Sequence, residues 1–228
     1  MLFLPTMTDA IIRNVETNDW LTILLVLALV LTTVAKSLFE SRFAYFTSLF
    51  TNNKYISIYG KEKNLVINRF SLLLFSAQII SLAIFIYLSF FALSDVAATT
   101  DYLFIKIISY LLVIIAFKYF LEKTIAAVFE IDALFEDYNF QKISYRNLIS
   151  LYLIPINALL IYFSFSNNTL LYITIALFIL VNLAAQLIIF RKYQKLIIDN
   201  LFYFILYLCA LEIAPYLVVL KVIHLNAN

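Results

Sequence analysis

The sequence has few of the residues on which most soluble catalytic sites depend. Among its 228 residues there is one glycine, one histidine and one cysteine, and charged residues make up 13%. A single glycine excludes the glycine-rich loops of nucleotide-binding proteins, whose backbone must approach phosphate closely. One histidine, His224, argues against histidine-rich metal sites and histidine-based catalytic triads. One cysteine, Cys209, permits no disulfide within the chain.

The low charge excludes further classes of partner. The formal net charge of +2 is too small to indicate a nucleic-acid partner. Four acidic residues lie close together, at Glu130, Asp132, Glu136 and Asp137. Their spacing lacks the alternating ligands and the central glycine of a calcium-binding loop, so the solvated face of an amphipathic helix explains them better. The sequence predicts no metal site and no cofactor.

Most of the sequence consists of long apolar runs. Hydrophobic residues make up 64% of the chain and the mean hydropathy is +0.98, whereas a soluble domain carries about 25% charged residues. The runs are continuous rather than alternating, and each is close to the roughly 20 residues that a membrane-spanning helix needs. The sequence therefore predicts an all-α polytopic membrane helix bundle. Its six predicted transmembrane helices cover about residues 20–39, 70–93, 102–124, 148–165, 169–190 and 201–220.

Basic residues predict the orientation of these spans. Lysine and arginine are concentrated after the first, third and fifth spans, and the gaps after the second and fourth contain none. Under the positive-inside rule, the basic gaps face the cytoplasm and both termini lie on the outer, periplasmic side. The predicted location is the bacterial inner membrane. Only Arg13 precedes the first run as a basic residue, which indicates an uncleaved helix rather than a secretory signal.

Two short helices are predicted outside the spans. Residues 7–15 are expected to form a helix on the outer membrane surface. In the first cytoplasmic gap, Phe43, Phe46 and Phe50 recur on one helical face. This pattern is typical of an amphipathic helix that lies in the membrane surface, and Gly60 further along marks a turn.

The last predicted span contains an acidic residue. Glu212 lies about 12 residues into a helix that enters from the cytoplasm, which places it about 18 Å deep. An ionised carboxylate at that depth is costly unless it is paired, hydrated or protonated. Pro215 removes a nearby backbone donor and predicts a kink. Two interpretations stay open: Glu212 is an ion or substrate site, or it clamps this helix to a neighbour.

Partners for Glu212 are expected on the third span. Lys118 and Glu122 are four residues apart and share a helical face. If the third span reaches Val128, Lys118 lies near the depth of Glu212 and can pair with it, while Glu122 extends the network towards the cytoplasm. If the span ends at Leu121, Lys118 extends to the lipid head groups instead. Glu212, Lys118 and Glu122 form the candidate intramembrane polar network.

The remaining polar residues of the spans are uncharged. Gln78 lies in the second span, Asn157 in the fourth, and Asn182 with Gln186 in the fifth. Amide side chains in lipid are typically satisfied by hydrogen bonds to a neighbouring helix, so these four are predicted interhelical contacts. Pro155 is predicted to kink the fourth span in the same way as Pro215 kinks the sixth.

Two stretches of the chain resemble a known family. The segment Phe46–Leu88 has the opening F-x-x-L-F-x-N-[KR], a basic-Asn-Leu turn and a span ending in S-L-x-x-F-x-Y-L. The segment Phe202–Ile223 reads FYFILYLCALEIAPYLVVLKVI and matches the ending Y-F-I-L-Y-L-C-x-L-E-[IL]-x-P. On these motifs the chain resembles a Bacteroidota integral membrane protein family, domain of unknown function 4271. The resemblance implies a multi-span inner-membrane protein and implies no activity. One departure is Ala214, where many relatives carry a larger aliphatic residue.

Three functional classes follow from the residues. A non-catalytic subunit or assembly factor of a cell-envelope complex is favoured, because the outer loops are short and the spans lack a polar cavity lining. Its partners would be the lipid bilayer and either other membrane proteins or further copies of the chain. A small transporter or channel component with Glu212 as a proton or cation site is the alternative, although the two halves show no inverted repeat. An intramembrane enzyme is least favoured, because no catalytic constellation is present in the sequence.

Overall fold

Long apolar segments form helices in lipid because a helix satisfies its own backbone polar groups. The structure, a computed structural model, describes residues 19–52, 54–60, 68–93, 102–128, 132–162 and 169–198. The helices in these residues are α1 (Asp19–Leu38), α2 (Glu40–Thr47), α3 (Lys54–Tyr59), α4 (Arg69–Leu93), α5 (Leu103–Val128), α6 (Asp132–Tyr162) and α7 (Thr169–Ile198). The all-α prediction is therefore confirmed.

Four of the described helices are long and apolar enough to cross a membrane. They are α1, most of α4, the whole of α5, and α7 as far as Ile189. Their bounds agree with the predicted first, second, third and fifth spans to within a few residues. The described part of the chain is therefore that of a multi-pass membrane protein.

The predicted fourth and sixth spans are not among these four apolar helices. The fourth, at residues 148–165, begins inside α6, which starts sixteen residues earlier at Asp132 and is not among the four apolar helices. The polar first half of α6 continues without a break into an apolar second half. The sixth span, at residues 201–220, lies outside the described residues. The predicted surface helix at residues 7–15 also lies outside them.

The phenylalanine face predicted for α2 packs largely against other helices. Phe46 is fully buried, and its ring packs edge-on against Tyr55 of α3 and Phe70 of α4 at 5.6 and 5.7 Å. Phe43 is partly buried against the same cluster, and Phe50 is exposed. The predicted amphipathic face exists, but protein rather than lipid covers most of it.

The chain turns tightly after α3. The backbone N–H of Gly60 donates to the carbonyl oxygen of Ile56 at 2.9 Å. A Cβ atom added to Gly60 would meet that same carbonyl oxygen at a distance that real Cβ atoms do not show. This close approach accounts for glycine at the predicted turn.

Helices α4 and α6 form the centre of the bundle. Helix α4 contacts α1, α5 and α6, and α6 contacts α7 as well. Aromatic and hydroxyl contacts join the beginning of α1 to the ends of α4 and α6. Trp20 packs edge-on against Tyr87 at 5.1 Å, and Tyr162 Oη donates to Thr22 Oγ1 at 2.9 Å. Helices α4 and α6 therefore run in the same direction, antiparallel to α1.

Candidate functional site: the polar interior around α6

Helix α6 carries polar side chains into the interior of the bundle. Its buried polar residues are Asn139, Gln141, Lys142, Ser144, Asn147, Ser150 and Asn157. At 3.6 residues per turn, Asn139, Ser150 and Asn157 are separated by nearly whole numbers of turns, so they lie on one face of the helix. The same interior receives buried polar residues from the neighbouring helices, among them Arg42, Ser71, Gln78, Ser81 and Glu122.

Hydrogen bonds join this face of α6 to α4. Asn157 Nδ2 donates to the carbonyl oxygen of Ser81 at 2.8 Å and to Ser81 Oγ at 3.2 Å. Ser81 Oγ in turn donates to the carbonyl oxygen of Ser150 at 3.4 Å. One serine of α4 thus contacts two turns of α6, and this group of Ser81, Ser150 and Asn157 is named the α4–α6 polar cluster.

Gln78 lies one turn before Ser81 on α4. Its side chain is 1% exposed, and both its Nε2 and its Oε1 are buried without a hydrogen-bond partner within the described residues. Asn157 Oδ1 is in the same condition, although its Nδ2 is bonded. A buried polar group without a partner costs about 1–3 kcal/mol. The α4–α6 polar cluster therefore has hydrogen-bonding capacity that the described protein atoms do not use.

A buried ion pair lies between α5 and α6. Lys142 Nζ is 2.7 Å from Glu122 Oε1, and the two side chains are 8% and 2% exposed. The ammonium group also lies 5.6 Å from the ring centre of Tyr138, one turn earlier on α6. The two charges neutralise each other in a place where either one alone would be costly.

A buried arginine lies among aromatic rings where α2, α3 and α4 meet. Arg42 is 5% exposed, and its guanidinium carbon lies 4.6 Å from the ring centre of Tyr59 and 5.2 Å from that of Phe70. The ring of Tyr55 is 6.0 Å away and stacks on Phe140 of α6. Guanidinium groups bind to ring faces through the ring quadrupole, so this contact ties the α2–α3 segment to the bundle.

Burial also affects a tyrosine beside this aromatic cluster. The ring of Tyr145 packs against Phe50 at 5.7 Å, and burial raises the pKa of its hydroxyl group above the usual value of 10.0.

The predicted charged network is only partly within the described residues. Helix α5 extends to Val128, the length that the longer of the two alternatives for the third span requires. Lys118 is half-buried on α5, one turn before Glu122. Glu122 pairs with Lys142 of α6, a residue that the sequence indicated only as a cytoplasmic positive charge. Glu212 and Pro215 lie outside the described residues.

Three of the predicted interhelical amide residues, Asn157, Asn182 and Gln186, have different environments in the structure. Asn157 bonds across to α4, whereas Asn182 donates from Nδ2 to the carbonyl oxygen of Phe178 in its own helix at 2.8 Å. Gln186 is half-buried one turn further along α7. Pro155 lies inside α6 with its ring exposed at the helix surface, and the kink there stays a prediction.

Sequence reasoning missed Lys142 and Arg42 as interior residues. Lys142 lies twenty residues after Glu122, and both are within three or four turns of the connection between α5 and α6. An antiparallel helix pair brings such positions together, which was the available signal for this ion pair. The burial of Arg42 could have been predicted from the many tyrosine and phenylalanine residues near it in the sequence.

The interior is suited to holding helices together and to binding small polar groups. Within the described ranges, no three histidine, cysteine or acidic side chains come together in a way that would hold a metal ion. Four apolar helices of membrane length around a polar core define a multi-pass membrane protein. Family comparison is more specific: residues 21–223 match the model of the domain of unknown function DUF4271, and the chain belongs to this family. Neither a curated protein nor a solved structure matches the chain.

Proposed function

We propose that the protein is a non-catalytic subunit or assembly factor of a cell-envelope complex in the bacterial inner membrane. The observation that carries this proposal is the unequal burial of the apolar helices. In the most apolar stretch of α4, 44% of residues are buried, whereas in that of α5 none is. Among the described residues, helix α5 thus has an apolar surface that other parts of the bundle do not cover.

The exposed surface of α5 has the composition of a contact surface. Tyr110, Val113, Phe117 and Phe120 are three or four residues apart, so they form one stripe along the helix, and each is more than three-fifths exposed. Aromatic residues are enriched where proteins contact each other. This α5 stripe is the surface that we assign to a partner helix.

The polar interior supports a non-catalytic role. The ion pair of Glu122 with Lys142 and the bonds of Asn157 to Ser81 each join two different helices. Such contacts fix helix positions, and they occupy the carboxylate of Glu122, the ammonium group of Lys142 and the amide nitrogen of Asn157.

The proposed orientation places both termini in the periplasm and the six spans across the membrane. It is supported by the charge at the two ends of the described helices. Lys36, Arg42 and Arg69 lie at one end of the bundle, where α1 ends and α4 begins. Trp20 and Tyr87 lie at the opposite end. Positive charge is retained on the cytoplasmic side, and aromatic residues are enriched at the interfaces.

Site-specific photocrosslinking tests the proposed role. A photoreactive phenylalanine analogue at Phe117 is irradiated in intact cells of a bacterium that naturally encodes the chain, and adducts are identified by mass spectrometry. The expected result is one adduct of discrete mass with another membrane protein. Replacement of Tyr172, an exposed aromatic residue of α7, is the matched control and should give lipid adducts only. Lipid adducts alone at Phe117 would contradict the subunit proposal, and adducts with a second copy of the chain would identify that copy as the partner.

A second candidate function is a transporter or channel component with Glu212 as a proton or cation site. It is favoured by the length of α5, because a helix that reaches Val128 puts Lys118 about 15 Å from its cytoplasmic end. That is close to the depth expected of Glu212, so the two charges can meet in the membrane.

Ion flux and stability measurements distinguish the two roles of Glu212. If Glu212 carries ions, pH-dependent flux into liposomes should be present in the unaltered protein and lost in Glu212→Gln. If it clamps helices through Lys118, Glu212→Ala should lower thermal stability, and the swap of Lys118→Glu with Glu212→Lys should restore it. Failure of the swap to restore stability would argue against direct pairing.

A further inference from the structure

The amide of Gln78 is the least satisfied polar group in the described interior. Its side chain is 1% exposed, yet neither its donor nor its acceptor atom has a hydrogen-bond partner among the described residues. Lipid cannot supply a partner, because hydrocarbon neither donates nor accepts hydrogen bonds. A group in this condition is normally satisfied by a bound molecule that has both capacities.

The surroundings of Gln78 define what such a molecule must be. Ser81 lies three residues after Gln78 on the same face of α4, and it is bonded to Asn157 and to the carbonyl of Ser150. Asn157 Oδ1 adds a second unused acceptor to this cluster. On Gln78 and Asn157, the unused atoms are therefore one amide donor, Gln78 Nε2, and two amide acceptors, Gln78 Oε1 and Asn157 Oδ1.

We infer that the α4–α6 polar cluster binds internal water at Gln78. A metal cation would satisfy the two oxygen atoms and leave Nε2 unpaired, and an anion would do the reverse. Water donates and accepts, and buried water in proteins typically makes about three hydrogen bonds to such groups. Gln78 and Asn157 together provide three unused atoms of this mixture. This site is independent of the proposed function, because it depends on contacts inside one chain.

Radiolytic labelling of the full-length protein in lipid nanodiscs tests this inference. Short X-ray pulses produce hydroxyl radicals from bound water, and these oxidise the side chains beside it. Ile154 lies between Ser150 and Asn157 on α6 and is 3% exposed, so bulk solvent does not reach it. We expect Ile154 to be oxidised about tenfold faster than Leu21, which is equally buried and lies at the beginning of α1. Equal slow oxidation of the two residues would overturn the inference.

A substitution connects the labelled water to Gln78. Gln78→Met keeps the volume of the side chain and removes both polar atoms, so the bundle is expected to fold. Oxidation of Ile154 should fall to the rate of Leu21. The apparent Tm should fall by about 2–4 °C, because the bridging hydrogen bonds are lost. A rise in Tm would show that the amide was dry and unsatisfied, and would overturn the inference. Gln186→Met is the matched control on α7 and should leave the oxidation of Ile154 unchanged.

Discussion

Glu122 and Lys142 form a buried ion pair that joins the last turns of α5 to the first turns of α6, with Nζ and Oε1 2.7 Å apart. Both side chains are almost completely removed from solvent, so each charge depends on the other for stabilisation. The attraction between two such charges roughly offsets the cost of removing them from water, whereas one charge left alone there is strongly unfavourable. The pair as a whole therefore contributes little to the free energy of unfolding, whereas the loss of either charge alone lowers it strongly.

Removal of one partner of this pair should destabilise the protein strongly. We expect Glu122→Gln to lower the free energy of unfolding by about 3–5 kcal/mol, because the Lys142 ammonium stays buried without a counter-charge. Thermal unfolding in detergent, followed by size-exclusion chromatography, measures the effect. Lys123→Gln changes an exposed neighbour on the same helix and should shift the free energy by less than about 0.5 kcal/mol.

The double variant Glu122→Leu with Lys142→Met should recover most of the stability lost in either single variant. It replaces two charges by apolar groups of similar size, and such replacements are often neutral. If the losses of the two single variants simply add in the double variant, the two side chains do not act as a pair.

The aromatic surroundings of Arg42 lead to a second prediction. Arg42→Met retains much of the side-chain length and removes the charge, and should destabilise the protein by about 2 kcal/mol, the contribution of a desolvated cation–π contact. Tyr59→Leu removes the nearest ring, 4.6 Å from the guanidinium carbon, and should have a smaller effect in the same direction. Tyr110→Leu removes an exposed ring of α5 and is the control. Equal stability of all three variants would contradict a stabilising role for the cation–π contact.

The apolar helices could be predicted from the sequence because hydropathy alone determines them. Helices α1, α4 and α5 begin within a residue of the predicted positions, since continuous apolar runs have few alternatives in lipid. Helix α7 continues past its predicted end at residue 190 to Ile198, where basic residues follow the apolar stretch. Hydropathy locates the apolar part of a helix and not the helical turns beyond it.

The polar interior could not be predicted in the same way. Lys142 and Arg42 have sequence surroundings typical of a cytoplasmic gap, and positive charge there is normally solvated. Their burial depends on partners far away in sequence, Glu122 for one and Phe70 for the other. Gln78 was predicted to contact a neighbouring helix, but its amide has no hydrogen-bond partner among the described residues, because this depends on side-chain positions that spacing does not determine.

Trp20 provides a spectroscopic prediction for the end of the bundle at which α1 begins. It is the only tryptophan of the chain, and its ring lies edge-on to Tyr87 and Phe104 at 5.1 and 5.0 Å. An aromatic residue at the interface should be quenched more by lipids brominated near the head group than by lipids brominated near the chain end. The reverse order would place Trp20 in the centre of the bilayer.

Phe104→Ala should shift the fluorescence emission of Trp20 and destabilise the protein by about 0.5–1.5 kcal/mol, because an edge-on aromatic contact is lost.

Accessibility of two engineered cysteines tests the orientation of the bundle. Thr51, in the segment between α2 and α3, and Tyr102, at the beginning of α5, are both exposed and lie at opposite ends of the described helices. In a Cys209→Ala background, Tyr102→Cys should react with a membrane-impermeant maleimide added to cells with a permeable outer membrane. Thr51→Cys should react only after the inner membrane is disrupted, because basic segments are retained in the cytoplasm. Reaction of Thr51→Cys in intact spheroplasts would reverse the proposed orientation and move the Arg42 aromatic cluster to the periplasmic side.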